Sequence, residues 1–457
     1  MCIRDRPSFD FIDTDAVRNS LSAEWNQCSS QLTSGEAGGY PLTSPRLGWA
    51  QPWGVEYGGM TGGDEIDMFS GLDIASTASN DGYRLAQLQQ RCYIDRQPDA
   101  LFDMEGNYTS VDDVMVTEGF GAPYVNLSFF GTISNGADPF GFDEAPQFQT
   151  EAVLSQNMAP DYYGPLTNFS PIDHQHFVRY TSNLKILTWL GGDTLSIELL
   201  QAAADNFHLG FHEHVNSAYG HIQGTGLRNL QNQVMEHPGQ GLAFGRGQAW
   251  GMDAAMAAYA TGDPAYRATN LPWIRLVADA LNDGQSTCTG NIMAVHINKN
   301  FDGEYISRQV NESSFIENVL RSMETTVFQG VEPERALQLQ QNLVASVRST
   351  IEQPHFWNEQ LGAPWFYAAT GPADLNQGDF CGNAPLDLHS LYVNTTECYS
   401  SFAYAYQIDP DPIYLFRATQ MLGGGNLWNQ LSSNGTQNLQ NTAALVALCQ
   451  IIGEDEL

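Results

Sequence analysis

The chain of 457 residues predicts a mainly α-helical fold, a full or incomplete ring of antiparallel helical hairpins, which is an α/α toroid. Three observations predict it. Beyond residue 150 the sequence changes from Gly-, Asp- and aromatic-rich stretches to long amphipathic runs of helical period. Four helix-to-helix junctions share one design there. Their acidic residues Asp193, Asp263, Glu332 and Asp411 recur 70, 69 and 79 residues apart. Such recurrence marks stacked helical units, because one hairpin cannot bury its own apolar stripe and needs a neighbour.

Residues 1–150 form an expected N-terminal region, packing on or capping the ring of 151–457. It reads as loops and short strands with one helix at 82–94, where Tyr83, Leu85, Leu88 and Cys92 recur at spacings near three and four. The loop from Trp53 to Glu65 is glycine-rich but holds no Lys or Arg, which makes it a poor phosphate cradle. Its glycines let the backbone turn while Trp53 and Tyr57 pack or face a ligand. The opening hexapeptide is charged and followed by no apolar core. It resembles an assembly artefact on metagenomic fragments, so the true N-terminus is expected to be missing, and the lack of a visible signal peptide says nothing about compartment.

The junctions follow in order. The first runs from Trp189 through Gly191 and Gly192 to Asp193. The second runs from Thr261 through Gly262 and Asp263 to Pro264. The third runs from Gly330 through Val331 and Glu332 to Pro333, and the fourth from Asp409 through Pro410 and Asp411 to Pro412. A glycine accepts the left-handed conformation that ends a helix. An acidic residue caps the next helix and meets its positive dipole end. Proline at the first helical position needs no amide partner. The surplus length lies in the Gly- and Asn-rich segments 216–248 and 283–311, expected as long connections gathered at one end of the ring.

The formal net charge of −33, with only Lys185 and Lys299 as lysines, excludes nucleic acid and anionic membranes as partners. It suits a saline setting, where counterions screen self-repulsion. No apolar run is long enough to span a bilayer. Apart from Cys2 there are six cysteines with no metal-knuckle or CxxC spacing, so they are either disulfides of a secreted protein or buried free thiols. A periplasmic or extracellular location is the expectation.

Six of the ten histidines fall between 174 and 221. Asp173, His174, His176, Arg179 and Tyr180 open a helix, with His176 and Tyr180 four apart on one face; Asp173 is equally a helix cap. His208 and His212 are also four apart, with Glu213 and His214 beside them, which is a metal-ligand spacing without the HExxH order. No cofactor is expected; His208, His212 and His214 are the candidates should a metal bind. Asn216, Tyr219 and His221 follow in a polar, glycine-bearing loop.

The sharpest local signal is Gly245-Arg246-Gly247-Gln248-Ala249-Trp250-Gly251, running on to Pro264. It resembles the RGQAW segment of the unsaturated glucuronyl hydrolases, which are α/α toroid enzymes. The resemblance implies that Arg246 and Trp250 contact the sugar, Arg246 as a planar fork for a carboxylate and Trp250 as a stacking face. The alternative makes Trp250 a core residue and Arg246 an ion-pair partner. A vaguer likeness, through Gln51–Ile66 and Arg91–Pro98, is to proteins similar to the exo-rhamnogalacturonan lyase group.

The expected function is therefore a carbohydrate-active enzyme cleaving acidic, uronate-containing poly- or oligosaccharides as a glycoside hydrolase. Asp173 is then the proton donor, with Glu213 and Asp253 as candidate second carboxylates. A lyase using His176, His212, His221, Tyr180 or Tyr219 as base and acid, with Arg179, Arg246 or Asn216 neutralising charge, is the first alternative. A toroid that binds glycans or protein without turnover is the second.

Overall fold

The computed structural model describes residues 181–213, 226–236, 238–239, 241–287, 290–293, 295–297, 305–352, 366–370, 398–414 and 416–417, with short pieces at 36–37, 40–41, 83–84 and 87. These residues are mainly helical. The chain divides into two compact units, one of residues 27–59 and 88–284, the other of 1–26, 60–87 and 285–457. The boundary expected near residue 150 lies outside the described residues, as does most of the 82–94 helix, of which Tyr83, Arg84 and Gln87 are helical.

The first unit holds a two-residue hairpin, β1 (Glu36–Ala37) with β2 (Tyr40–Pro41), antiparallel. Five helices follow: α1 (Ser182–Gly191), α2 (Thr194–Gly210), α3 (Leu227–Glu236), α4 (Arg246–Thr261) and α5 (Pro264–Gly284). The α1–α2 junction has the expected chemistry. Gly192 is left-handed (φ 62°), and its amide and that of Asp193 donate to the Thr188 and Leu187 carbonyls. The Asp193 carboxylate then accepts from the Ser196 amide at 3.0 Å and its hydroxyl at 2.8 Å.

The α4–α5 junction differs from expectation in one respect. Asp263 caps Tyr266 N at 2.8 Å, but Gly262 is not left-handed (φ −64°). Glycine is needed there for space, since a Cβ would stand 2.6 Å from the Tyr266 ring and 2.9 Å from the Ala258 carbonyl.

Helices α2 and α4 pack closely because small residues line both: Ala203 and Ala204 on one, Ala254 and Ala258 on the other, all buried. At the nearest point a Cβ on Gly251 would fall 2.1 Å from the Phe207 ring. Trp250, Phe207, Phe211 and Phe244 complete this core. Helix α3 is a correction, because the sequence reads 216–248 as connection. Its Leu227 and Leu230 are buried and it packs on α5, but the surrounding Gly, Asn and Gln mask so short a stripe.

The second unit contains a three-stranded antiparallel sheet in the order β3 (Val295–Ile297), β4 (Tyr305–Gln309), β5 (Phe366–Thr370). Val295 pairs with Ser307 and Tyr305 with Thr370. This sheet is also a correction to the reading of 283–311 as connection. Helix α6 (Val310–Met323) continues into a π turn (Glu324–Phe328), and α7 (Pro333–Glu352) and α8 (Cys398–Ile408) follow. Left-handed Gly330 (φ 78°) precedes α7 as expected. At the fourth junction Asp411 accepts from the Ile413 amide at 3.0 Å.

Helices α6, α7 and α8 pack on one another through Phe315, Leu320, Leu339, Val347 and Phe402. Ser346 donates to buried Glu317 at 2.6 Å across α6 and α7. Arg348 on α7 reaches Asp409 at 2.6 Å and Asp411 at 2.8 Å beyond α8, tying a helix to the junction that follows.

Candidate functional site

The chemistry-bearing side chains of the first unit lie in a row where α2 meets α5. Asp205 begins it. Tyr266 Oη donates to Asp205 Oδ1 at 3.2 Å. Both side chains keep partial solvent access. Burial, opposed by the Tyr266 hydrogen bond, pushes the Asp205 carboxyl up from 3.8 to about 6. A carboxyl poised there donates a proton near neutral pH.

One turn along α5, the carbonyl of Tyr266 accepts from Asn270 Nδ2 at 3.1 Å. That fixes the orientation of the amide and leaves Asn270 Oδ1 facing His208 Nδ1 at 3.2 Å. Nδ1 of His208 is then the protonated nitrogen, and Nε2 carries the lone pair. The ring is held on its flat side by Trp273, with centroids 3.9 Å apart and planes at 22°. Trp273 is itself anchored by donating Nε1 to the Phe211 carbonyl at 2.8 Å.

His208 is buried. Burial first, and His212 second, push its imidazole well below the ordinary histidine value, with Asn270 opposing. His212 stacks on it at 5.3 Å, and His212 Nε2 lies 3.2 Å from Glu213 Oε2. One ligand atom from each of His208, His212 and Glu213 lies within 4.8 Å of the others. Among the described residues these three could hold a metal ion.

His208 and His212, four apart in sequence, do not share one helix face. Helix α2 ends at Gly210, and Phe211 leaves helical geometry (φ −112°, ψ 53°). His212 therefore meets His208 by a turn of the chain, and the same turn brings Glu213 into the group.

Comparison of the chain with protein-family models, curated proteins and solved structures gave no match. The reading of the site therefore rests on its own geometry.

The RGQAW segment opens α4. Gln248 Oε1 accepts from the Gly245 amide at 3.0 Å, one half of a capping box, since glycine has no side chain to return. Trp250 is 1% exposed and presents no face to a sugar; it is a core residue, the alternative that the sequence left open. Gly251 makes room for Phe207. Gln248, Trp250 and Gly251 thus have packing and capping duties. The Arg246 backbone begins the helix, and its side chain lies outside the described residues.

So do Asp173, His174, His176, Arg179, Tyr180, His214, Asn216, Tyr219 and His221. Asp253, a candidate second carboxylate, accepts from Lys185 Nζ across α1 and α4. Burial raises its carboxyl while Lys185 opposes. That ion pair is a packing element, and it occupies one of the two lysines in the chain.

Sequence reasoning missed Asp205, Tyr266 and Asn270. Asp205 stands three residues before His208, a same-face spacing that could have drawn attention to it. Tyr266 and Asn270 carry no local signal, because their partners are about sixty residues away in sequence.

Proposed function

We propose that the protein is a carbohydrate-active enzyme that cleaves acidic, uronate-bearing oligosaccharides as a glycoside hydrolase, with its helical hairpins closing into an α/α toroid. The observation that carries the proposal is the Asp205–Tyr266 pair, a partly accessible carboxyl near its half-protonated point at about 6. Glycoside hydrolysis needs such a group, because the leaving oxygen must gain a proton as the bond breaks. The geometry names no substrate class; the uronate comes from the likeness of 245–251 to the unsaturated glucuronyl hydrolases, of which only the Arg246 contact remains, since Trp250 is buried.

Protonated Asp205 gives its proton to the glycosidic oxygen as its bond to the anomeric carbon breaks, a water bonds to that carbon and passes its proton to a second carboxylate, and Arg246 pairs with the uronate carboxylate. Glu213 is the second carboxylate of the row; Asp253 is committed to Lys185. Trp250 takes no part in stacking. A periplasmic or extracellular place of action fits an acidic polysaccharide substrate.

The test is to incubate the full chain with a panel of acidic polysaccharides and with pre-cut unsaturated oligomers, following the unsaturated-uronate absorbance. Falling absorbance on the oligomers supports the hydrolase. Rising absorbance on the polymers replaces it with β-elimination. No change together with saturable glycan binding replaces it with a binding module.

A further inference from the structure

The group at the end of α2 has a second property that proton transfer by Asp205 does not use. We infer that His208, His212 and Glu213 form a binding site for one divalent transition metal ion of the zinc class. The inference rests on geometry and not on the glycan reading; with metal bound, Glu213 is a ligand and no longer a free second carboxylate for sugar hydrolysis.

Three observations carry it. The first is composition: two imidazoles and one carboxylate are borderline ligands that suit zinc and its neighbours, whereas magnesium and calcium take oxygen alone. The three ligand atoms already lie within 4.8 Å of one another. Metal bonds of about 2.0–2.2 Å bring ligand atoms to roughly 3–4 Å apart. The remaining closure falls to Glu213 and His212, whose side chains are partly exposed.

The second is the orientation of His208. Its Nδ1 is used by Asn270, whose own amide is fixed by the Tyr266 carbonyl. A metal-bound histidine characteristically donates its other ring nitrogen to an oxygen in this way, which sets the tautomer and the ring plane. The third is Nε2 itself. His208 is 4% exposed, and among the described residues Nε2 has no hydrogen-bond partner. A buried lone pair without a donor carries a desolvation cost. A cation held between His208, His212 and Glu213 would use that lone pair.

Three protein ligands leave coordination room for water or a substrate oxygen, the pattern of an open rather than a structural zinc site. Asn270 is a positioning residue here, acting through His208.

The experiment uses the full chain stripped with a chelator. Zinc is titrated against a chromophoric chelator, and cobalt is added in place of zinc to read its d–d absorption. The inference expects one equivalent of tight zinc and visible cobalt bands of low coordination number. His212→Ala and Glu213→Gln should each weaken zinc at least tenfold. Asn270→Leu should weaken it about 10–100-fold, as loss of an outer-shell partner does. Glu213→Gln is isosteric at a partly exposed position, so it decides the matter if His212→Ala does not fold. Absence of a saturable equivalent overturns the inference. Zinc bound with equal affinity by the wild type and Glu213→Gln, as cysteine or scattered carboxylate binding would give, also overturns it. Failure of the glycan assays leaves both readouts untouched.

Discussion

Replacing Asp205 with Asn tests the poised carboxyl directly. In the folded chain the group sits at about 6, against 3.8 when unperturbed. The folded state therefore binds the proton more tightly than the unfolded one. Stability associated with Asp205 is full below about pH 4 and is lost as pH rises through about 6. The difference between the two values corresponds to about 3 kcal/mol. Asparagine stays neutral at every pH and keeps an oxygen for the Tyr266 hydroxyl at 3.2 Å. Asp205→Asn should accordingly match the wild type near pH 4 and exceed it by up to about 3 kcal/mol at pH 7–8. Urea unfolding of both proteins at a series of pH values gives the difference, with the other carboxylates cancelling. A difference that stays flat from pH 4 to 8, or a variant weaker than wild type at pH 7, refutes the reasoning. The stability forgone at neutral pH is what a functional carboxyl is expected to cost.

Three further outcomes follow from the same geometry. Tyr266→Phe removes the one hydrogen bond that lowers the Asp205 carboxyl, so its titration midpoint should move above 6, read from the carboxyl carbon by NMR. Gly251→Ala gains about 1 kcal/mol of helix propensity, but its methyl would stand 2.1 Å from the Phe207 ring. Overpacking costs about 1–3 kcal/mol or more, so a net loss is expected in urea unfolding. Asp193→Ala removes the acceptor for both Ser196 groups and should cost about 1 kcal/mol, visible as a lower unfolding midpoint.

What could be read from the sequence was local. Gly192 with Asp193, Asp263 with Pro264, Gly330 with Pro333, and Asp411 each act within a few residues of themselves, so capping chemistry alone locates the helix ends. The His208–His212 spacing flagged two rings that the fold does bring together, with centroids 5.3 Å apart. That Glu213 joins them depends on where α2 stops, because the turn at Phe211 redirects the chain.

Contacts made across the fold were not legible. Asp205 with Tyr266 and His208 with Asn270 exist only because side chains of α5 reach those of α2, and nothing near Asn270 in sequence marks it. The RGQAW segment shows the converse. Its pattern suggested ligand contact, but Trp250 and Gly251 are occupied by the α2–α4 interface, where Phe207 needs the space of a missing Cβ. Helix α3 and the β3–β4–β5 sheet were hidden because short elements flanked by Gly and Asn leave little periodicity.

The most direct test of the account is the pH profile of kcat/KM on pre-cut unsaturated uronate oligomers. Activity should fall about tenfold per pH unit above about 6, as the proton on Asp205 is lost. Asp205→Asn, which has no proton to give, should be inactive while remaining folded. A folded Asp205→Asn variant with wild-type activity, or a profile rising through that range, would contradict it.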